Sequence, residues 1–189
     1  DGWDGCGGYH YSDSILFGFS HTHLSGTGVS DYGDILLMPT TGELLLNNGA
    51  DGNPGYSSAF SHENEKAKAG YYNVLLEDYN VFAELTASKR VGFHKYTFPE
   101  NEEAQVVLDL EHRDRLLDYK IELVDSNTLQ GIRYSDNWAR EQKVHFYIQF
   151  SKNLQSITFN EKQSVAGISF GVLQKPLLVK VGISAVSTD

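Results

Sequence analysis

The 189-residue sequence contains a single cysteine, Cys6, so no internal disulfide can form. Cysteine usage therefore gives no indication of the redox compartment. Prolines number only four, and no apolar run approaches the roughly 18 residues of a membrane-spanning helix. The sequence begins with DGWDGCGG rather than Met, so we expect a piece of a longer protein. For such a piece, the lack of a visible signal peptide says nothing about destination.

Basic residues are also few. Fifteen Lys and Arg stand against 25 Asp and Glu, which gives a formal net charge of −10 at pH 7. Surfaces that bind nucleic acid or anionic membranes are usually basic, so both kinds of partner are disfavoured. A neutral ligand such as a sugar is compatible with this charge, although the charge does not indicate one.

The abundant residues favour β-structure. The chain has 11 Tyr, 10 Phe and 18 Gly, a combination typical of short strands joined by glycine turns. Apolar residues make up 40% of the sequence and charged residues 21%, as in globular proteins. The length fits one domain, so we predict a single domain over residues 1–189.

Alternation of apolar and polar residues is clearest in VHFYIQF, where Val144, Phe146 and Ile148 alternate with more polar neighbours. This period of two predicts a half-buried strand. Other β-rich runs occur at 35–38, 71–76, 81–87, 90–98, 106–109, 119–124, 156–160 and 177–184. Their spacing predicts an all-β fold, an antiparallel β-sandwich. The best helical candidate is the short segment 111–117, and the clearest long loop is 47–54.

Polar groups that suit a ligand converge shortly after Gly18. They comprise two imidazoles, two hydroxyls and two carboxylates around a glycine-rich turn: His21, His23, Ser25, Gly26, Thr27, Asp31 and Asp34. In an extended segment, side chains two residues apart point to the same face. Sugar hydroxyls need both donors and acceptors, which this set supplies. The segment is therefore a candidate sugar-binding site.

A His-x-His pair also suits a transition metal, because neutral imidazole is a common zinc ligand. A third ligand is required, and the spacing selects none of the candidates: His10, Asp31, Asp34, His62 and His94. Both histidines could instead satisfy backbone groups in a loop. From spacing alone, the sugar, metal and structural interpretations stay open.

A second cluster lies at Trp3, Asp4, Cys6 and Tyr9. Trp beside glycine-rich backbone can stack on a pyranose ring, although a core Trp in an irregular segment is the simpler interpretation. Cys6 has no base beside it in the sequence, which favours a buried, inert thiol over a nucleophile.

Catalytic carboxylates and a Ser–His–acid set are weaker candidates. The triplet at 61–63 precedes a strand, and a solvated loop is the expected structure there. Inverting glycoside hydrolysis needs two carboxyls about 6.5–9.5 Å apart, and sequence cannot choose a pair among Asp31, Asp34, Glu63 and Glu65.

Three stretches resemble family 92 glycoside hydrolases. The first is GWDGCGGYHYSDSILFGFSHTHLSGTGVSDYGDILLMPTTG, and the second is FSHENEKAKAGYYNVLLEDYNVFAELTASKRVGFHKYTFP. A weaker third comprises VHFYIQFSKN and LLVKVGISAVS. Together they span nearly the whole chain in order. Ala69 departs from the family pattern, which has Pro at this position in a loop.

This resemblance implies a calcium-dependent exo-α-mannosidase that cleaves terminal α-mannosyl linkages of glycans, α-1,2 linkages among them, with inversion. It implies an N-terminal β-sandwich of supersandwich type, with its first strands before residue 1, followed by a C-terminal (α/α)6-barrel beyond residue 189. The barrel would supply the catalytic carboxylates and bind calcium, so neither a catalytic residue nor a metal ligand is expected in this chain. The parent protein would be secreted, periplasmic or on the cell surface.

The resemblance also implies which residues of this chain form the mannose pocket. They are the residues of the two polar clusters except Tyr9 and Asp34, with Val29 added after the glycine turn: Trp3, Asp4, Cys6, His21, His23, Ser25, Gly26, Thr27, Val29 and Asp31. Val29 would border the leaving-group sugar. Two alternative hypotheses remain, a stand-alone carbohydrate-binding β-sandwich and a His-x-His metalloprotein of cupin-like type.

Overall fold

The computed structural model describes residues 8–22, 32–137 and 139–188. These residues form β-strands and one short 3-10 helix, His62–Asn64, and none of their helices is long and apolar enough to span a membrane. The strands are β1 (Ile15–Leu16), β2 (Leu36–Thr40), β3 (Ser58–Ala59), β4 (Glu65–Lys68), β5 (Tyr71–Leu76), β6 (Val81–Ala87), β7 (Val91–Thr97), β8 (Glu103–Asp109), β9 (Arg115–Asp125), β10 (Thr128–Asp136), β11 (Gln142–Phe150), β12 (Ser156–Phe159), β13 (Val165–Val172) and β14 (Leu177–Ser184).

These strands form two main sheets, and every pairing between them is antiparallel. The larger sheet has eight strands in the order β4-β5-β6-β7-β14-β11-β10-β9, and the smaller has four in the order β12-β13-β8-β2. A short pair, β1-β3, lies apart from both. One hydrophobic core contains buried residues from both main sheets. The predicted antiparallel β-sandwich is confirmed.

The larger sheet has one buried face and one exposed face. In β11, Val144, Phe146 and Ile148 are buried, while Tyr147 between them is exposed. The same alternation in β14 buries Val179 and exposes Leu178. We call the buried side the inner face of the larger sheet. The period of two in the sequence therefore identified the side that packs on the core.

In the smaller sheet β2, β8 and β13 are buried on both faces, because the segment that follows β2 covers the outer side. Leu44 packs on β13 at Gly167, where an added Cβ would lie 2.5 Å from the leucine side chain. Tyr56, also buried, donates its hydroxyl hydrogen bond to Asp109 at the end of β8. Burial on both sides explains why β8 and β13 are buried at nearly every position rather than at alternate ones.

The helix predicted at 111–117 is wrong. Residues 110–114 form a bent connection, and β9 begins at Arg115. Arg113 has a φ of 70°, which a right-handed helix cannot contain. The carbonyls of Leu110 and His112 accept hydrogen bonds from the guanidinium of Arg133, at 2.8 Å each. A tertiary contact therefore fixes this segment and overrides its weak helical preference.

Candidate functional site

Of the ten predicted pocket residues, the structure describes only His21. The other nine lie outside the described residues: Trp3, Asp4, Cys6, His23, Ser25, Gly26, Thr27, Val29 and Asp31. Their predicted roles therefore stay predictions. What the structure does show is how the chain is held on either side of residues 23–31, which we call the pocket segment.

Both ends of the pocket segment are tied together by backbone hydrogen bonds. Thr22 O accepts from Gly33 N at 2.7 Å, and His21 N donates to Asp34 O at 2.9 Å. Two further bonds, of 2.8 and 3.0 Å, join Phe19 and Leu37. The flanking residues thus form a narrow two-stranded base, from which the pocket segment departs and to which it returns.

The side chain of Asp34 fixes this base from below. Asp34 is fully buried and forms an ion pair with Nη1 of Arg133. Its second oxygen accepts from Thr22 Oγ1 at 2.5 Å and from Gln142 Nε2 at 2.6 Å. A buried carboxylate with all these partners stabilises the base of the segment and is unavailable as a sugar-facing acid or a metal ligand.

Arg133 is the other half of this network, and the sequence did not single it out. Its side chain is completely buried in β10 of the larger sheet. Besides Asp34, its guanidinium donates to three backbone carbonyls in the connection before β9, those of Leu110, His112 and Asp114. The position of a cation inside an otherwise half-buried strand was the available signal, since such a charge needs a buried partner.

His21 points from the base toward β7 and meets His94. The two Nε2 atoms are 3.0 Å apart, while His21 Nδ1 lies 2.5 Å from Ile35 O. The ring centroids are 4.9 Å apart, farther than the Nε2 atoms, so the rings meet through their nitrogen edges. On the other side of His94, Nδ1 lies 2.6 Å from the hydroxyl of Tyr96. A continuous polar chain therefore runs from β7 to the base of the segment.

Both imidazoles are neutral near pH 7. Burial lowers the pKa of His21 to about 4, against a smaller opposing effect of the hydrogen bond to Ile35. Burial, and secondarily the neighbouring His21, holds the pKa of His94 well below its ordinary value. Each ring therefore carries one N–H and one bare nitrogen.

Two backbone features accommodate this pair of rings. At Gly92, an added Cβ would lie 2.7 Å from Cδ2 of His21, so the ring requires a glycine on β7 beneath it. Ile35 has a φ of 54°, an uncommon conformation for a β-branched residue that costs about 1–3 kcal/mol. The strained residue is the one whose carbonyl accepts the His21 hydrogen bond.

The described residues do not support the metal interpretation. Among residues 8–22, 32–137 and 139–188 no group of three or more His, Cys, Asp or Glu side chains could hold a metal ion. His94 was a candidate third ligand and does lie beside His21, but hydrogen bonds already account for both nitrogens of each ring. Asp34 is taken by Arg133. His10 bonds Ser12, and His62 belongs to another cluster.

A cleft of about 470 Å³ opens beside the two histidines, at one end of the inner face of the larger sheet. Its walls are mainly apolar and include Phe19, Tyr72, Leu85 and Ile183. The β6–β7 turn, with Lys89 and Arg90, forms part of its rim. His21, the one predicted pocket residue that the structure describes, thus faces a concave surface.

The residues at 61–65 include a short 3-10 helix with no buried residue, rather than a loop, and they are not a catalytic triad. Ser61 caps the 3-10 helix by accepting from Glu63 N at 3.2 Å. His62 pairs instead with Glu65, and its ring stacks on Tyr11 with the centroids 4.2 Å apart. Two tyrosines, Tyr9 and Tyr72, each donate to Glu65 at 2.7 Å. The group attaches residues 9–11 to β4 and β5.

The chain is similar to known proteins along its whole length. The family model described as the glycosyl hydrolase family 92 N-terminal domain matches residues 1–184. A family 92 α-mannosidase from Bacteroides thetaiotaomicron has 35% identity and a TM-score of 0.91, over 99% of this chain and 29% of that chain. Its complex with mannoimidazole gives 35% identity and a TM-score of 0.90, over 99% and 28% of the two chains.

A family 92 inverting mannosidase from B. thetaiotaomicron VPI-5482 is more distant, with 26% identity and a TM-score of 0.79 over 95% of this chain and 25% of that chain. No curated protein matches the sequence. The chain spans less than a third of the length of each solved relative. Because the family model and the first relative both match almost every residue, the chain belongs to the glycosyl hydrolase family 92 N-terminal domain family.

Proposed function

We propose that this chain is the N-terminal domain of an exo-acting α-mannosidase, in which it forms one wall of the mannosyl pocket. The parent enzyme would hydrolyse terminal α-mannosyl linkages of glycans, α-1,2 linkages among them. The observation that carries the proposal is the match over 99% of this chain to a family 92 α-mannosidase that was also solved with mannoimidazole. A second relative is described as an inverting mannosidase, which supports inversion.

The chemistry of inversion is assigned to another domain. An inverting glycosidase needs one carboxylic acid and one carboxylate about 6.5–9.5 Å apart across the sugar. Of the four candidates in this sequence, Asp34 is buried against Arg133, and Glu65 is held by His62 and two tyrosines. Glu63 lies in the short 3-10 helix beside Glu65. Asp31 lies outside the described residues. We assign the acid and the base to a C-terminal (α/α)6-barrel, for which the greater length of the relatives leaves room.

Calcium is assigned to the same second domain. Calcium takes six to eight oxygen ligands, usually with several carboxylates. The described residues contain no cluster of three or more potential ligands, so they do not fit this ion. No step of the reaction is therefore derived through calcium in this chain.

The role left to this domain is to hold the pocket segment in place. The backbone hydrogen bond between Thr22 and Gly33 joins its ends, and the buried Asp34–Arg133 pair anchors them to the larger sheet. Residues that recognise a ligand are commonly carried on loops held by a rigid scaffold. The pocket segment, with its imidazole, hydroxyl and carboxylate groups, fits that arrangement.

Hydrolysis of an aryl α-mannoside and of α-mannobiose tests this proposal. We expect no turnover by residues 1–189 with calcium present, and turnover by a longer chain that includes the following coding sequence. Saturable hydrolysis by residues 1–189 alone, or none by the longer chain, would contradict it. Saturable binding of mannobiose by residues 1–189 would favour the stand-alone binding module, and stoichiometric transition metal would favour the metalloprotein.

Substitutions in the longer chain test whether the predicted residues form a wall of the mannosyl pocket. We expect His23→Ala, Asp31→Asn and Trp3→Ala each to lower kcat/KM for α-mannobiose. The matched control is His145→Ala, because His145 lies on the outer face of the larger sheet, away from the inner face that carries His94. Equal losses in all four variants would reject the pocket assignment. Appearance of the parent protein in a secreted, periplasmic or cell-surface fraction tests the proposed localisation.

A further inference from the structure

The two ends of the hydrogen-bonded chain through His21 and His94 determine which atom donates in each of its hydrogen bonds. It runs from the hydroxyl of Tyr96 to His94 Nδ1, from His94 Nε2 to His21 Nε2, and from His21 Nδ1 to the carbonyl of Ile35. Its three donor–acceptor distances are 2.6, 3.0 and 2.5 Å. A carbonyl oxygen only accepts, so Nδ1 of His21 carries the proton of this bond.

The positions of the remaining protons follow from the proton on Nδ1 of His21. In a neutral His21, a protonated Nδ1 leaves Nε2 as a bare acceptor, so His94 Nε2 carries the proton between the rings. A neutral His94 then has a bare Nδ1, which accepts from the Tyr96 hydroxyl. Tyr96 is fully buried, and this bond satisfies its donor. The two histidines are thus opposite tautomers, His21 with Nδ1–H and His94 with Nε2–H.

We propose that His94 and Tyr96 are positioning residues that lock the tautomer and orientation of His21, and through it the base of the pocket segment. The lock acts on the carbonyl of Ile35, the residue with the strained backbone, one position after Asp34. It connects β7 of the larger sheet to the segment that leads into β2 of the smaller sheet. The name pocket segment rests on the proposed function, whereas the tautomer order does not.

The neighbouring residues hold the chain in one arrangement. Phe19 packs edge-on against His94, with centroids 6.2 Å apart, and lies over Tyr96 at 6.4 Å. Gly92 leaves the space that the His21 ring occupies. Because Gly92, His94 and Tyr96 alternate along one strand, all three lie on the same face of β7. The motif G-x-H-x-Y in the sequence is the signal for this arrangement.

Long-range ¹H–¹⁵N NMR of residues 1–189 tests the tautomers directly, because protonated and bare imidazole nitrogens differ strongly in ¹⁵N shift. At pH 7 we expect a bare Nε2 on His21 and a bare Nδ1 on His94. His145, on the outer face, is the control ring, and its ¹⁵N shifts give the reference for a histidine outside the pair. Finding both rings as Nε2–H tautomers, or His21 as an imidazolium, would overturn the proposal.

Variants separate positioning from packing. Tyr96→Phe removes only the hydroxyl, and we expect the His94 signals to move toward the average of the two tautomers. Amide exchange at His21 and Gly33, whose N–H groups tie the base, should rise roughly fivefold or more, as for loss of one buried hydrogen bond. Tyr147→Phe, on the outer face, is the matched control and should change neither quantity.

A substitution series at His94 completes the test. His94→Gln keeps an amide donor for His21 and an amide acceptor for Tyr96, and should retain slow exchange at Gly33. His94→Leu keeps the bulk but has neither a donor nor an acceptor, so slow exchange at Gly33 should be lost. Equal exchange in the two variants would assign His94 to packing alone and overturn the proposal. None of these readouts requires mannosidase activity, so failure here is distinguishable from failure of the proposed function.

Discussion

Arg133 and Asp34 form an ion pair across 99 residues of sequence, with neither side chain exposed to solvent. Arg133 lies in β10 of the larger sheet, and Asp34 lies two residues before β2 of the smaller sheet. The pair therefore joins the two sheets directly beneath the pocket segment. Thr22 and Gln142 also bond the same carboxylate, so four side chains meet at the base of the segment.

Removing the carboxylate should destabilise the protein strongly. Asp34→Ala leaves the Arg133 guanidinium buried without its counter-charge, and breaking a buried pair in this way costs about 3–5 kcal/mol. The free energy of unfolding in urea, measured by far-ultraviolet circular dichroism, gives this loss.

The control for that substitution is a surface pair. Arg115 bonds Asp136, with 71% of the arginine side chain exposed. Asp136→Ala should cost less than about 1 kcal/mol, as for an exposed ion pair. Losses of equal size at Asp34 and Asp136 would show that burial does not give the Asp34–Arg133 pair its importance.

The neutral histidine pair should make the fold sensitive to acid. The pKa of His21 is about 4 in the folded state and about 6.5 in an unfolded chain, so the unfolded state binds more protons between these values. The stability due to neutral His21 is therefore complete above pH 6.5 and falls as the pH drops toward 4. Urea denaturation at a series of pH values should show this slope, with His94 adding to it in the same direction.

His21→Gln should flatten this acid slope, because the variant removes the titrating ring. The control is Gln149→Ala on the outer face of the larger sheet, which removes no titrating group and should leave the dependence between pH 6.5 and 4 unchanged. An acid slope that is the same with and without His21 would mean that other groups cause it.

His62 should titrate in the opposite direction. Its hydrogen bond to Glu65 raises the pKa of His62, outweighing the opposing effect of burial. The stabilising charge is therefore fully present below the ordinary pKa of 6.5, and it is lost as the pH rises through the raised value. An NMR titration of the His62 ring measures this pKa. Glu65→Gln should lower it, whereas Glu63→Gln on the same short helix should not.

Gly92→Ala should disturb the histidine pair. The added Cβ would lie 2.7 Å from Cδ2 of His21, so the ring must move, and overpacking of this kind costs about 1–3 kcal/mol. We expect a lower free energy of unfolding and loss of the distinct His21 tautomer signal. Gly182→Ala on the neighbouring β14 is the matched control, since its Cβ would be 3.8 Å from the nearest atom. Equal effects at the two glycines would contradict the steric argument.

Much of the larger sheet could be predicted from β-rich runs, and in β11 from a period of two. The run at 71–76 is β5, that at 81–87 is β6, and that at 177–184 is β14, each with the predicted bounds. The buried residues of β11 were also identified. β11 and the first half of β14 have one buried and one exposed face, so burial there alternates along the backbone.

The strands that sequence patterns missed include β10 and β13, and the reason differs between them. In β10, Gly131 and the buried Arg133 interrupt the hydropathy pattern. Gly131 is required because an added Cβ would lie 1.9 Å from the carbonyl oxygen of Lys120 on β9. In β13, burial on both faces removes alternation, and the glycines at 167 and 171 lower the strand propensity of the segment.

The candidate site was predictable only in part. The sequence placed His21 in a polar cluster, and the resemblance assigned that cluster to a pocket wall. His94 appeared only as one of several possible metal ligands, and Arg133 did not appear. Their partners lie 73 and 99 residues away along the chain, and no local pattern reports such long-range contacts.

Because a backbone hydrogen bond joins Thr22 and Gly33, residues 23–31 can be exchanged as one segment. The side chains that fix the base, those of Asp34, Arg133 and His94, all lie outside these nine positions. Substitutions at these positions therefore leave the side-chain contacts of the base in place. Under the proposed function, grafting this segment between members of the family should exchange glycan preference.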